Sequence, residues 1–268
     1  MKFGLKVHHT DISDMLYMRP EALEFVLFPD DMGGSWTEKI KFGGPVAVHM
    51  PERFGDGSLV DLDSPDDGKR TEAIRILKKT IDIAILLNAS SVVCHPGGIR
   101  EKPAHVDAAP LLDSIRALET YAPASLELLL ENMPDIYWYN GEIYSPCLFK
   151  RKDEISGILK TLGIGLCMDL SHAKLYCNSS GESFTAYVKA LKPYIRHIHI
   201  ADARGISGEG LQVGDGEIDF EALLPLLKGL DVTAVPEILG GHRDGGAGFK
   251  LAAERLAKLG YYDGPDRR

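Results

Sequence analysis

Short apolar runs recur along the whole chain, and eight of them have the composition expected of buried strands. They lack the alternation of polar and apolar residues that marks a half-exposed strand, which favours parallel strands covered on both faces. We therefore predict eight parallel strands. The runs span residues 3–8, 23–28, 46–50, 91–95, 126–132, 164–170, 196–202 and 233–239.

Apolar residues repeat at helical spacing between most of these runs. One such stripe lies within residues 74–84, and others lie within residues 155–162, 184–191 and 249–259. Eight strands that mostly alternate with amphipathic helices predict an α/β fold, a single (β/α)8 TIM barrel that occupies residues 1–268 as one domain. The first repeat is irregular, because residues 10–20 hold only a short candidate helix and the glycine-containing residues 29–44 are expected to form a loop.

The size and charge of the chain agree with this fold and narrow its partners. The 268 residues suffice for one such barrel, which usually needs about 250. Apolar residues make up 44% and charged residues 26%, as in ordinary soluble globular proteins. The net charge is −9 and no basic run exceeds the three residues 150–152, which argues against nucleic acid as a partner. It does not exclude it, because metals can supply positive charge to a phosphate site.

The four cysteines are scattered, without the paired spacing of a zinc or redox motif. Cys94 and Cys167 lie inside apolar runs, so we expect buried free thiols in a reducing compartment. The first residues lack a long apolar signal segment, and no apolar run approaches the roughly 20 residues that cross a bilayer. These features predict a cytoplasmic protein without membrane spans.

Most of the eight runs carry a metal-binding residue type at or near their C-terminal end. Barrel geometry brings the ends of the strands into one ring around the axis. Three carboxylates in that ring would repel one another unless a cation neutralised them, so the pattern predicts a divalent metal ion. Mixed imidazole and carboxylate ligands suit Zn²⁺, Mn²⁺ or Co²⁺ better than Ca²⁺. The residues are His49, His95, Glu131, Asp169, His199 and Glu237.

Two long connections and two histidine pairs carry open alternatives. Residues 51–69 and 133–150 both follow strands and should lie at the active-site rim. The aromatic residues of the second connection would either stack on a sugar ring or form rim packing or a dimer contact, so homo-oligomerisation stays open.

His8 and His9 close the first strand and would contact substrate or make a rim hydrogen bond. His197 lies two positions before His199 in the same predicted strand, so both side chains should point into the barrel. His197 would lie one layer of side chains deeper than His199, where we expect a structural role.

The glycine-rich residues 240–249 follow the last predicted strand and precede a helix. Backbone of this kind can cradle a phosphate group, and the loops after the last barrel strands often do so. In that interpretation His242 and Arg243 would assist in binding an anionic substrate. The alternative is a plain turn.

Five segments carry a resemblance to a known family. They are "LLLEN", "GLCMDLSHA", "IRHIHIADAR", "VGDGEIDF" and "VPEIL". Together they resemble the xylose-isomerase-like barrel superfamily, which contains sugar epimerases and isomerases related to D-tagatose 3-epimerase and also the endonuclease IV repair enzymes. The similarity extends over nearly the whole chain from the third strand onward.

The epimerase branch of that superfamily implies a site with one divalent metal. Its ligands match Glu131, Asp169, His199 and Glu237. Residues that contact substrate oxygens in that branch match His172, which we expect in the loop a step beyond Asp169, and Arg204, although Arg204 falls one position closer to His199 than the family pattern. In this interpretation Glu131 and Glu237 lie on opposite faces of a carbon and remove and return a proton through an enediolate.

The repair branch offers a second interpretation. The segments "VHMP" and "VVCHPGG" resemble strands that supply two further metal-binding histidines, matching His49 and His95, with Glu131 bridging two ions. His172 would then bind metal as well. However, Gly208 and Gly210 stand where that branch has the Asp and His of its third metal site.

The absence of the two ligands of the third metal site, together with the acidic composition, favours a sugar or sugar-phosphate isomerase or epimerase. An AP-endonuclease-like phosphodiesterase with a di- or trinuclear zinc site is the alternative. A lyase or hydrolase on the same site, or a barrel that only binds a metabolite, stays open as well, because one barrel supports many chemistries.

Overall fold

The computed structural model describes residues 1–102, 107–139 and 141–262. Eight parallel strands, labelled β1 to β8, form a closed barrel in which each strand pairs with its sequence neighbours and β8 pairs with β1. The predicted (β/α)8 barrel is confirmed, and every predicted strand is present. The strands are β1 Lys2–Val7, β2 Ala22–Val26, β3 Val46–His49, β4 Ser91–Cys94, β5 Glu127–Glu131, β6 Gly165–Asp169, β7 Ile195–Ile200 and β8 Thr233–Pro236.

Helices surround the barrel, and the first repeat is irregular as predicted. The helices are α1 Ile12–Met15, α2 Asp67–Leu86, α3 Ala109–Tyr121, α4 Lys152–Leu162, α5 Leu170–Ser180, α6 Phe184–Leu191, α7 Phe220–Leu227 and α8 Arg243–Leu259. The expectation of a loop over residues 29–44 was wrong in part, because Pro29–Gly33 and Ser35–Lys39 form 3-10 helices. Within the described residues, no helix is both long and apolar enough to span a membrane.

Local sequence determines where several helices begin and end. The Asp66 carboxylate accepts hydrogen bonds from two backbone N–H groups at the start of α2, and Ser183 caps α6 in the same way. Helices α4 and α5 end at Gly163 and Gly181, whose positive φ values of 78° and 75° suit the left-handed residue that closes a helix. These caps satisfy backbone groups at the helix ends that have no partner within the helix.

The barrel has two cores because successive side chains of a strand point to opposite faces. The outward-facing residues pack against the helices in one large apolar cluster that includes Leu128, Leu130 and Met168. Alternate positions pack inside the barrel, where Val93, Leu129 and Cys167 form a separate small cluster. Cys94 and Cys167 are buried free thiols, as expected. Each member of this inner cluster is followed, two positions later, by a polar residue at the barrel mouth: His95, Glu131 and Asp169.

One glycine shows how tightly the barrel closes. A side chain at Gly4 would place its Cβ 2.7 Å from Val235 Cγ2 and 2.5 Å from Thr233 Cγ2, closer than packed atoms approach. Gly4 therefore lets β1 lie against β8, and Lys6, two positions further along the same face, reaches the mouth.

The long connection at 133–150 is more ordered than the predicted loop. Tyr137–Tyr139 and Glu142–Pro146 pair as an antiparallel hairpin, and Ile99–Arg100 adds a third short strand. Asn140 lies outside the described residues. A second small hairpin, Asp202–Arg204 with Gly208–Leu211, follows β7. Both hairpins stand over the C-terminal end of the barrel.

Candidate metal centre at the barrel mouth

Six polar residues that were predicted to meet at the strand ends are buried at the C-terminal end of the barrel, except Glu237, which is one-third exposed. Four of them, Glu131, Asp169, His199 and Glu237, each offer one ligand atom, and these atoms all lie within 4.8 Å of one another. The four belong to the ends of β5, β6, β7 and β8. The structure thus assembles the predicted four-residue group.

The His199–Glu237 pair indicates that a cation fits this group. Nδ1 of His199 lies 2.6 Å from Oε2 of Glu237 and 3.3 Å from Oε2 of Glu131. Neither His199 Nδ1 nor Glu237 Oε2 has a hydrogen-bond partner of acceptable geometry among the described residues. Buried polar atoms are rarely left unpaired, and two such atoms that approach each other this closely would fit as ligands of a shared cation.

A second group meets the first at Glu131. His49 Nε2 lies 3.3 Å and His95 Nε2 lies 3.5 Å from Glu131 Oε2, and the three residues form a further buried set of ligand atoms within 4.8 Å of one another. The other ring nitrogen of His49, Nδ1, lies 2.8 Å from the Met50 carbonyl oxygen. That contact fixes Nδ1 as a donor and leaves Nε2 free to ligate. Glu131 therefore belongs to both groups of ligand atoms.

Two charged residues inside the barrel were missed from the sequence. Glu24 on β2 is fully buried, and its carboxylate lies 2.9 Å from Nε2 of His199 and 2.7 Å from Nε2 of His197. Lys6 on β1 contacts Glu237 and lies 3.3 Å from Glu24 Oε1. A carboxylate behind a ligating histidine orients its ring, so Glu24 positions His199 with Nδ1 toward Glu237. His197 has the structural position that was predicted.

The charges of this layer keep two of its carboxylates ionised. Burial alone would raise the pKa of Glu237, but His199 and Lys6 outweigh it and hold that pKa well below its ordinary value. The pKa of Glu131 is likewise lowered, because His199 and His95 outweigh the effect of burial. Burial raises the pKa of Asp169 to about 6, with Glu131 and Glu237 adding to the effect and His172 opposing it.

Asp169 and Asn132 fix the end of strand β6. The Asn132 side chain accepts a hydrogen bond from the Asp169 N–H at 2.8 Å and donates one to the Asp169 carbonyl at 2.9 Å. Oδ1 of Asp169 accepts the backbone N–H of His172 at 2.5 Å and so caps helix α5. One carboxylate thus ends the strand, begins the helix and faces the metal-ligand group.

His172 lies in the first turn of α5, whereas the sequence interpretation placed it in a loop. Its Nδ1 is 3.0 Å from the Asn132 carbonyl and 3.3 Å from Glu131 Oε1, and its Nε2 is 3.7 Å from Glu209 Oε2. Burial alone would lower the pKa of His172, but Asp169, Glu131 and Glu209 hold it well above the ordinary value. Both predicted roles, substrate binding and metal binding, stay compatible with this position.

A cavity of about 230 Å³ opens onto these residues. It is smaller than the roughly 300–1,000 Å³ of sites for drug-sized ligands, and its wall is largely polar, which suits a small polar molecule. Tyr137 of the aromatic hairpin donates a hydrogen bond to Glu52 at 2.7 Å. The lining residues are Glu52, Arg53, His95, Glu131, Tyr137, Trp138, Asp169, Ser171, His172, Glu209, Gly210, Glu237 and Leu239.

Two predicted substrate-binding residues lie apart from this cavity. Arg204 is exposed, and its guanidinium donates to the carbonyl of Asp215. The pairing register of the hairpin shifts between Asp202 and Arg204, so Arg204 does not share the buried side of Asp202. His242 is also exposed, just before α8. The structure therefore gives no support to substrate contacts by Arg204 and His242.

The glycine-rich residues 240–249 have a packing role. A Cβ at Gly246 would lie 2.8 Å from Met18 Cε and 2.9 Å from Met15 Sδ, and the φ of Gly246 is 82°. The glycine lets the first turns of α8 approach the irregular first repeat closely. This packing accounts for the glycine without a bound phosphate.

The family model of the xylose isomerase-like TIM barrel matches residues 38–259, so this chain belongs to that family. Among curated proteins, an uncharacterised protein of Methanocaldococcus jannaschii is 26% identical over 226 residues, which cover 83% of this chain and 70% of that protein. A probable endonuclease 4 of Aquifex aeolicus is 24% identical over 210 residues, covering 72% of this chain and 70% of that one.

A solved D-tagatose 3-epimerase-like protein superposes with a TM-score of 0.68. It is 22% identical and the match covers 97% of this chain and 98% of that one. At this identity the likeness establishes the fold, and the chemistry has to be argued from the site.

Proposed function

We propose that this protein is a divalent-metal-dependent isomerase or epimerase of a small sugar or sugar phosphate, acting by proton transfer through an enediolate. The observation that carries the proposal is the convergence of Glu131 and Glu237 with Asp169 and His199 beside a small polar cavity. A divalent ion, Zn²⁺, Mn²⁺ or Co²⁺, held by these four residues would polarise a substrate carbonyl and stabilise the negative charge that develops on its oxygen.

The protein side chains supply the proton transfer. Both Glu131 and Glu237 have lowered pKa values and are ionised at neutral pH, so each can accept a proton from a carbon next to a carbonyl. Glu237 is one-third exposed, whereas Glu131 is 1% exposed. Glu237 is therefore the carboxylate with better access to a ligand that enters from the cavity, and we assign it the first proton removal.

The neighbouring residues support this assignment. Lys6 contacts the Glu237 carboxylate from inside the barrel and balances its charge. His172 and Glu209 lie together at the cavity wall, where donor and acceptor groups can bind sugar hydroxyls. Trp138 is 46% exposed at the same wall and offers an aromatic face to a sugar ring.

The test is exchange of substrate hydrogen with solvent. Zinc-, manganese- and cobalt-loaded protein is incubated in D₂O with a panel of ketoses, aldoses and their phosphate esters, and deuterium incorporation is followed by NMR. We expect exchange at one carbon, lost at least 100-fold in Glu237→Gln. Glu72→Gln is the control, because Glu72 pairs with Arg75 on the surface of α2. Exchange that persists in Glu237→Gln would contradict the proposed base.

A second candidate function follows from the His49–His95–Glu131 group. With Glu131 shared, the mouth has ligands for two adjacent ions, as in two-metal phosphodiesterases. That candidate predicts metal-dependent hydrolysis of bis(p-nitrophenyl) phosphate, or nicking of abasic duplex DNA with a strong salt dependence, each lost in His95→Ala. If the protein exchanges sugar hydrogen with solvent but neither hydrolyses the phosphodiester nor nicks abasic DNA, the second candidate is excluded and the isomerase proposal stands.

The same proposal covers partners and location. A small-molecule substrate and a cytoplasmic setting agree with the acidic charge of −9 and the four free cysteines. Nucleic acid becomes a partner only under the second candidate. Homo-oligomerisation through the aromatic hairpin stays a prediction.

A further inference from the structure

A separate cluster of metal-ligating residues lies at the start of the barrel's irregular first repeat. We propose that His8, His9 and Asp31 form an additional divalent-cation site of the zinc type, distinct from the residues of the barrel centre. The proposal does not depend on the proposed function, because it uses none of the residues assigned to proton transfer.

The geometry brings three ligand atoms together. His8 Nε2 lies 3.1 Å from both carboxylate oxygens of Asp31, and His9 Nε2 lies 2.9 Å from Asp31 Oδ1. In a tetrahedral zinc site, ligands about 2.0–2.1 Å from the ion lie about 3.3 Å from one another. The distances from the two histidine nitrogens to the Asp31 carboxylate are within a few tenths of an ångström of that value, and all three ligand atoms lie within 4.8 Å of one another. Small side-chain movements would therefore admit an ion between the three residues.

Contacts behind the ligands hold each of them in this orientation. Nδ1 of His8 lies 2.7 Å from the Thr10 hydroxyl, and the His9 ring stacks on Trp36 with centroids 4.8 Å apart. Oδ2 of Asp31 accepts the backbone N–H of Phe28 at 2.6 Å. Such outer contacts are what orient ligands in metal sites, and they hold the His8 ring with Nε2 facing Asp31.

The charge balance of Asp31 gives a second reason for a cation. Its side chain is 6% exposed, and its ion pairs within the described part of the chain are with His8 and His9 only. No lysine or arginine in that part pairs with it. A buried carboxylate is costly without positive charge, which a divalent ion would supply.

The cluster leaves room for a further ligand. The side chains of His8 and His9 are 18% and 24% exposed, so the ion would have solvent on one side. Three protein ligands with one open position is the arrangement of zinc sites that bind water or an anion. His8 also contacts the Phe28 ring edge, and Phe28 lines a cavity of about 530 Å³ that shares Glu52 and Arg53 with the smaller cavity.

The test counts zinc ions in full-length protein. Metal is removed with a chelator, zinc is added in single molar equivalents, excess is removed by gel filtration, and content is measured by mass spectrometry. Asp31→Asn and His9→Gln should each retain one ion fewer per chain than Asp30→Asn. Asp30 is the matched control, because it is the adjacent, exposed carboxylate of the same 3-10 helix. Circular dichroism checks that each variant is folded.

A crystal of the unmodified protein, grown with stoichiometric zinc and measured at the zinc absorption edge, decides the matter if the variants do not fold. A peak between the three side chains supports the proposal. Equal zinc content in all three folded variants, or no peak between the three side chains, would overturn the proposal. His8, His9 and Asp31 would then form only a hydrogen-bonded cluster. Glu131→Gln should lose zinc from the barrel centre and keep this ion, so failure of one site is distinguishable from failure of the other.

Discussion

Lys6 is the one lysine among the carboxylates of the inner layer, within the described residues, and its removal gives a quantitative prediction. Its side chain is 12% exposed, contacts Glu237 and lies 3.3 Å from Oε1 of the fully buried Glu24. Lys6→Met keeps most of the aliphatic stem and removes the charge. The substitution therefore isolates the electrostatic contribution from the packing contribution.

The expected magnitude follows from the burial of the partners. Removing one member of a buried ion pair costs about 3–5 kcal/mol, because the other charge is left buried and uncompensated. Glu24 keeps its contacts with His197 and His199, and Glu237 is partly exposed, so we expect the lower end, about 3 kcal/mol. In a chain of this size that corresponds to a decrease in Tm of roughly 6–12 °C.

The assay is thermal and urea unfolding of metal-free protein, with Lys2→Met as the control. Lys2 lies on the same strand, but it is 44% exposed and pairs with Asp231, which is 88% exposed. Exposed pairs contribute about 0–1 kcal/mol, so Lys2→Met should lower Tm by at most about 2–4 °C. Added zinc should reduce the difference in Tm between Lys6→Met and the unmodified protein, because the ion would neutralise the charge of Glu237. The reasoning is refuted if the two variants lose equal stability.

Three further predictions concern buried polar residues. Burial and the charge of Asp61 raise the pKa of Asp63 to about 7, so the folded state retains a proton that the unfolded chain releases near pH 4. The contribution of Asp63 to the free energy of unfolding is then fully present below the pKa of the unfolded chain and is lost as pH rises through 7, by at most about 4 kcal/mol. Asp63→Asn should therefore flatten the dependence of Tm on pH, measured from pH 4 to 8. Asn132→Ala should cost about 2–4 kcal/mol in urea unfolding and weaken zinc binding at least tenfold by calorimetry, because it unpairs both backbone groups of Asp169. Asp202→Ala should cost on the order of 4 kcal/mol in the same unfolding assay, because its carboxylate accepts four backbone N–H groups between residues 203 and 218.

The strand and helix pattern could be predicted because burial on both faces and helical stripes are local properties of the sequence. Once the barrel is assumed, the ring of strand ends also predicts that Glu131, Asp169, His199 and Glu237 meet. Lys6 and Glu24 were overlooked although a signal was present, since a charged residue inside an apolar strand has to be neutralised by another strand. Their partners lie up to 231 positions away, so no local pattern identifies them.

The positions of loop residues were less predictable. Arg204 follows the strand His199 belongs to, but the side to which it points is set by the short hairpin formed with Gly208–Leu211. His172 was placed in a loop because the sequence does not mark Asp169 as a helix cap until its side chain is seen to accept the His172 N–H. The glycines of residues 240–249 fit both a phosphate loop and tight packing, and only the contacts of Gly246 with Met15 and Met18 separate the two.

We propose that Glu131 joins the residues of the barrel mouth into a metal centre. The most direct test is the zinc content of Glu131→Gln after reconstitution, compared with Glu209→Gln, whose carboxylate lies at the same cavity outside both ligand groups. We predict that Glu131→Gln retains at least one ion per chain fewer than Glu209→Gln. Equal zinc content in the two folded variants would contradict the account.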